Sequence, residues 1–158
     1  FGERDDDVHR KRLAVLRHAM SPIVCVGESL EQRERGETSA HVLRQVEAAL
    51  ADLDEEALAR VVIAYEPLWA IGTGRTALPS DAQDVHAAIR RLVAERWSRG
   101  ATEGLRILYG GSVKADNAAS LMAEADVDGA LVGGASLDAE AFCAIVAAAN
   151  ASEGPLRA

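Results

Sequence analysis

Glu66 is the residue with the best placement for chemistry. It follows an apolar run, residues 61–65, where a carboxylate would shed hydration and gain a raised pKa suited to a general base. A strand-end glutamate paired with a nearby lysine or arginine fits the same position. The loop that follows favours the base: Pro67 and Trp69 give it a stiff start, Gly72 and Gly74 admit unusual backbone angles, and it is long enough to close over a site.

Two glycine pairs, Gly110 with Gly111 and Gly133 with Gly134, end consecutive short apolar runs. Without Cβ atoms their backbone can approach a ligand and aim successive N–H groups at phosphate oxygens. Ser112 adds a hydroxyl, and the helical turns that follow add partial positive charge. A lone pair reads more readily as a turn; two on adjacent strands read as a phosphate site. Glu28 ends another run and either supports the same face or forms an ordinary ion pair. Tyr109 can pack its ring while its hydroxyl reaches a neighbouring loop. Lys114 reads as a solvated helix-start residue. His9, His18, His41 and His86 fall in helical segments away from the strand ends, and Cys25 and Cys143 read as buried and unactivated.

These residues need elements to hold them. Residues 5–20 have helical spacing, with Asp5 or Asp6 as cap and Val8, Val15, Leu16 and Ala19 as an apolar stripe. A strand over 23–26 follows, then a helix capped by Thr38, a strand over 61–65, and a helix opened by Pro79 with a Ser80–Gln83 capping box. A strand over 105–109, a helix over about 116–125, a strand over 130–132 and a helix from Asp138 complete the order. In the last helix Phe142, Ile145 and Val146 are expected to face the core. Residues 152–158 read as a loose tail.

Each crossover is long enough to hold a helix, so parallel pairing with right-handed connections follows. All four strand ends carry functional-looking segments, CVGE, YEPLWAIGTG, YGGSV and VGGASL. An open doubly wound sheet gathers ligands chiefly at one switch point. Four decorated ends favour the α/β class in its (β/α)8 TIM-barrel form, here an incomplete barrel of four parallel strands and their helices. Such a barrel takes about 250 residues, so 158 residues, read as a single domain over 1–158, would not close one alone.

Composition agrees. Apolar residues at 49% imply a packed core, and 25 acidic against 17 basic residues, a net charge of −8, disfavour nucleic acid or an anionic membrane as main partner. Two cysteines fit a reducing, cytoplasmic setting and do not approach metal-ligand spacing. No metal or organic cofactor is implied.

AYEPLWAIGTG, YGGSV and DGALVGGASL, with FGE at the start and PIVCVGESLEQRE after it, resemble the triosephosphate isomerase family over nearly the whole sequence. The family's known chemistry is a glutamate base, a neutral histidine electrophile and a closing loop. The resemblance implies interconversion of dihydroxyacetone phosphate and glyceraldehyde 3-phosphate through an enediolate, in glycolysis and gluconeogenesis, with Glu66 as base. It implies a mobile loop over 67–77, with Gly72, Ser112, Gly133 and Gly134 on the substrate phosphate. Leu131 would shape the pocket, Tyr109 would hold the closed loop near Ala77, and Glu28 would support the site. Arg75 stands where relatives often carry lysine.

The family's asparagine, lysine and electrophilic histidine belong to its first four strands and have no counterpart here. The expectation is therefore a carboxyl-terminal part of the barrel, inactive or nearly so without its amino-terminal half, from an enzyme that is homodimeric when complete. A free-standing half-barrel with a structural or phosphate-binding role is the alternative.

Overall fold

A computed structural model describes residues 2–152. The four strands are β1 (Ile23–Val26), β2 (Val62–Tyr65), β3 (Arg106–Tyr109) and β4 (Gly129–Ala130). They pair parallel in the order β1-β2-β3-β4, with no reversal that would open a switch-point crevice. Around them run α1 (Asp5–Arg17), α2 (Leu30–Glu34), α3 (Thr38–Leu50), α4 (Glu55–Leu58), α5 (Pro79–Arg96), α6 (Arg99–Gly104), α7 (Ala118–Met122) and α8 (Ala139–Ser152). Short 3-10 turns occupy Leu68–Ala70 and Gly134–Leu137.

The period-2 geometry of strands gives the sheet two unlike faces. Val24, Val26, Ile63, Tyr65, Ile107 and Tyr109 point to the helix side and are buried with Val42, Val46, Ile89 and Val93 of α3 and α5. On the other face, Ile23 is 51% exposed and Cys25 and Arg106 are also exposed. Cys25 therefore departs from the expected burial: it lies on the uncovered face, one row above Ile23. Cys143 is exposed as well.

Several local expectations are corrected. The α1 stripe is shallower than its periodicity implies: Val15 and Leu16 are half-buried, Ala19 is exposed, and the buried residue is Arg12, 2% exposed. Its guanidinium donates to the carbonyls of Ala49 and Ala51 at 2.9 and 2.6 Å, satisfying acceptors that the end of α3 leaves open. The first helix is capped by Asp7, which accepts from the Arg4 amide, and not by Asp5 or Asp6. Thr38 is the first residue of α3, after Glu37.

Helix α5 opens with Asp81 accepting from the Leu78 amide at 3.0 Å. Ser80 does not form the expected box with Gln83, whose side chain instead exchanges two hydrogen bonds with Asp126. The expected helix over 116–125 shortens to α7, because Asn117 ties back to the Lys114 amide and the Ser112 carbonyl. Strand β4 lies one residue earlier than its apolar run, and in α8 Ile145 is buried while Phe142 and Val146 are 40% and 43% exposed. Of the expected tail, Ser152 ends α8 and residues 153–158 lie outside the described residues.

His86 is fully buried in α5, edge-on to the Tyr65 ring, with Nδ1 3.1 Å from the Asp126 carbonyl. Burial pulls its pKa down to about 4, only partly countered by that carbonyl. Between pH 6.5 and 4 the unfolded chain therefore binds a proton that the folded chain refuses, so stability falls as pH falls through this window. Denaturant titrations should show a loss approaching about 3 kcal/mol from pH 7 to 4 from this group. A His86→Gln variant should have a flatter profile over the same range.

Candidate active site

The carboxyl ends of the strands extend the ladder by one more row. The amide of Glu66 donates to the Val26 carbonyl at 2.7 Å, that of Gly110 to Tyr65 at 2.8 Å, and that of Leu131 to Tyr109 at 2.9 Å. Glu66, Gly110 and Leu131 are thus set at one edge of the sheet by backbone pairing. Glu66 is half-buried.

Space for Glu66 comes from two glycines. A Cβ on Gly27 would lie 1.8 Å from the Glu66 carbonyl oxygen, and one on Gly110 would lie 2.6 Å from its Cγ. Gly110 and Gly111 also make room for protein atoms, since a Cβ on Gly111 would lie 2.2 Å from the Tyr109 hydroxyl. By contrast, Gly72, Gly133 and Gly134 face open space where their Cβ atoms would be, and all three are exposed. Gly72 and Gly74 take φ of +67° and +80°, as the bend of the loop requires. Ser112 is half-buried at the end of β3, and Leu131 is half-buried beside Tyr109.

Cys25 is a neighbour that sequence reasoning missed. Its thiol is held up at about 11, first by partial shielding of the sulfur and then by the nearby Glu66 carboxylate. The register Cys25↔Ala64 puts it one row below the carboxylate's own, which is the signal that finds it.

Glu28 is fully buried and holds the start of the loop. It accepts from Trp69 Nε1 at 2.8 Å and from the Tyr65 hydroxyl at 3.1 and 3.2 Å, with Arg33 4.0 Å away. Burial, then the Glu28 charge, pushes the Tyr65 phenol well above its ordinary range. Of the two readings of Glu28, the geometry is that of a buried hydrogen-bond acceptor and not of a solvated ion pair. Tyr109 is also buried, which pushes its pKa up to about 12 against the opposing effect of the Ala77 backbone amide. Its hydroxyl makes no well-formed hydrogen bond but is directed to the far end of the loop. Lys114 and Arg75 are exposed.

Among the described residues no cluster of three or more His, Cys, Asp or Glu side chains could hold a metal ion, and no helix is long and apolar enough to cross a membrane. The arrangement presents one carboxylate at the sheet edge and leaves the backbone of Gly72, Gly133 and Gly134 exposed.

Residues 1–149 match the family model described as triosephosphate isomerase. Over 146 residues the chain is 56% identical to the triosephosphate isomerase of Caldanaerobacter subterraneus subsp. tengcongensis, covering 92% of this chain and 59% of that relative. It is also 56% identical over 146 residues to the triosephosphate isomerase of Chloroflexus aurantiacus, covering 92% of this chain and 58% of that relative. The Herminiimonas arsenicoxydans triosephosphate isomerase is 52% identical over 149 residues, with shares of 94% and 60%. The chain therefore spans somewhat under two thirds of the length of these relatives.

The two glycines beside Glu66 should respond differently to alanine. Gly27→Ala meets backbone, which cannot step aside, and should destabilise the fold by about 3 kcal/mol or more in denaturant titration. Gly110→Ala meets a side chain that can rotate; it should leave the unfolding midpoint nearly unchanged while displacing the Glu66 carboxylate, as a crystal structure of the variant would show.

Proposed function

Because this chain belongs to the triosephosphate isomerase family, we propose that the protein interconverts dihydroxyacetone phosphate and D-glyceraldehyde 3-phosphate with Glu66 as the base. The carboxylate takes a proton from the carbon next to the substrate carbonyl, leaving an enediolate, and returns it to the neighbouring carbon, while the hydroxyl proton passes from one enediolate oxygen to the other. No bond to the protein forms and no electron leaves the substrate. The amides of Gly72, Gly133 and Gly134 and the hydroxyl of Ser112 would hold the substrate phosphate, and Leu131 would line the pocket. Closure of the loop after Glu66, with Tyr109 against Ala77, would keep water from the enediolate.

The observation that carries this reading is the seat of Glu66: its amide is fixed to Val26, and two glycines clear its backbone and side chain. A solvated ion-pairing glutamate has no need of either. Neutral phosphate donors also suit a chain of net charge −8.

The activity is proposed for the whole polypeptide. By the family resemblance, the cation that offsets substrate phosphate and the histidine that polarises the carbonyl belong to the first four strands, which have no counterpart in this sequence, and stabilisation of that kind is often the largest catalytic contribution. The partner of this segment is accordingly the amino-terminal half of the barrel, which would cover Ile23, Cys25 and Arg106. We extend the reading to a cytoplasmic protein without nucleic-acid or membrane partners, supported by the free cysteines and acidic charge, and to a homodimer on the family resemblance alone.

The alternative, a half-barrel that binds phosphate without catalysis, is favoured by the uncovered sheet face alone. The two separate in one assay series. In the polypeptide as its gene encodes it, Glu66→Gln should lower kcat about 100- to 10,000-fold with a small change in KM. Residues 1–158 alone should show no isomerase activity but recover it when mixed with the amino-terminal part of a relative. Wild-type turnover by the Glu66→Gln variant would overturn the assignment of the base, and an inactive encoded polypeptide that still binds phosphate would establish the alternative.

A further inference from the structure

The segment after Glu66 is exposed from Ile71 to Thr76 and anchored at two points. At its start, Trp69 is buried and donates to Glu28. At its end, the Leu78 amide donates to Asp81 in the first turn of α5. The two anchors belong to different elements, and nothing in the loop's own backbone joins them.

Arg33 of α2 touches both. Its Cζ lies 4.4 Å from the centroid of the Trp69 ring, and its Nη2 lies 2.8 Å from Asp81 Oδ1. Nη1 lies 4.0 Å from the same Glu28 oxygen that accepts from Trp69. Asp81 uses its two oxygens separately, Oδ1 toward Arg33 and Oδ2 toward Leu78. One cation therefore lies over the ring of the residue that begins the loop and pairs with the carboxylate that holds its end.

We propose that Arg33 is a positioning residue that couples the two ends of the loop, so that they keep a fixed separation whether the loop between them is open or closed. The proposal rests on the isomerase reading for its consequence, because the loop is taken there as the lid, but the coupling itself is a property of this chain. Only a guanidinium can do this. A lysine ammonium is a point charge that can reach Asp81 or sit over the indole, but it has no flat face and no fork of donors to do both. With the ends held, closure needs only the exposed residues between them to rearrange, and the amide of Gly72 returns to the same place at each closure. With one end loose, the same residues would also have to find their anchors.

The test is hydrogen–deuterium exchange on the encoded polypeptide in three variants, Arg33→Lys, Arg33→Ala and Asp81→Asn, with the emission of Trp69 read in a background where the other tryptophans, Trp97 among them, are phenylalanine. Both arginine variants should raise amide exchange at 68–71 and at 77–82 together by about tenfold, shift Trp69 emission to longer wavelength, and leave β2 and β3 unchanged. Asp81→Asn should raise exchange at 77–82 and leave Trp69 emission in place. A rise confined to one end, a rise spread over the whole sheet, or full protection in Arg33→Lys would overturn the coupling. In the encoded polypeptide, Arg33→Lys should lower kcat/KM about tenfold. If the exchange results hold while the wild-type polypeptide has no isomerase activity, the coupling stands and the isomerase reading falls; if exchange is unchanged in an active enzyme, the reverse follows.

Discussion

The constraint on which the rest depends is the close approach of three strand ends around one glutamate. Backbone at Gly27 comes so near the Glu66 carbonyl that no side chain fits, and Gly110 leaves room for the Glu66 side chain on the other side. Parallel pairing fixes those distances, since the ladder bonds from Glu66 to Val26 and from Gly110 to Tyr65 set the height of each residue above the sheet. The helices set the rest: α3 packs on β1 and α5 on β2, holding the strands in register from one face. Backbone pairing at this edge is what sets the position of Glu66 on a sheet of four strands.

From that edge the polar structure proceeds in one direction. Glu28, fully buried, is made tolerable by two donors, the Tyr65 hydroxyl shared between its oxygens and the Trp69 indole N–H, and by the nearby Arg33 charge. Trp69 in turn fixes where the loop begins. Tyr65 connects the same acceptor to the core, where its ring meets His86 and Tyr109. Thus the buried charge does not stand apart from the apolar interior; it is the point at which the core and the loop are joined. Removing either donor would leave a carboxylate buried with unused acceptors, which costs more than the bond itself contributes.

What could be read from the sequence follows the kind of interaction involved. The strand positions of 23–26, 61–65 and 105–109 were legible because a run of β-branched and apolar residues bounded by Gly or Pro has few other uses. Glu66 was legible by position, and Glu28 by its place after a strand, although only the structure chooses between its two readings. The misses have a common cause. Asp81 rather than Ser80 caps α5, Arg12 rather than an aliphatic residue is the buried side chain of α1, and Gly110 and Gly111 make room for protein atoms that the sequence did not point to. In each case local pattern allows two partners, and the choice is made by a group distant in sequence: Arg33 for Asp81, the end of α3 for Arg12, Glu66 and Tyr109 for the glycines. Cys25, Phe142 and Val146 were misplaced because periodicity says that a face is apolar but not that anything covers it.

The division of charge carries the last step. The chain has an excess of acid, and the groups proposed to meet the phosphate are neutral: three glycine amides and a serine hydroxyl, with Lys114 exposed beyond them. Donors of this kind can select a phosphate by geometry, because they point at oxygens in fixed directions, but they do little to offset its full charge or that of an enediolate. Under the proposed function the compensating cation must come from residues that this segment does not supply. The half that holds the base is thereby the half that cannot stabilise what the base creates, and the uncovered face of its sheet is where the complementary charge would have to be brought in. Barrel closure and catalysis then have the same requirement, and a segment that fails to close should fail at the chemistry for an electrostatic reason even with Glu66 correctly placed.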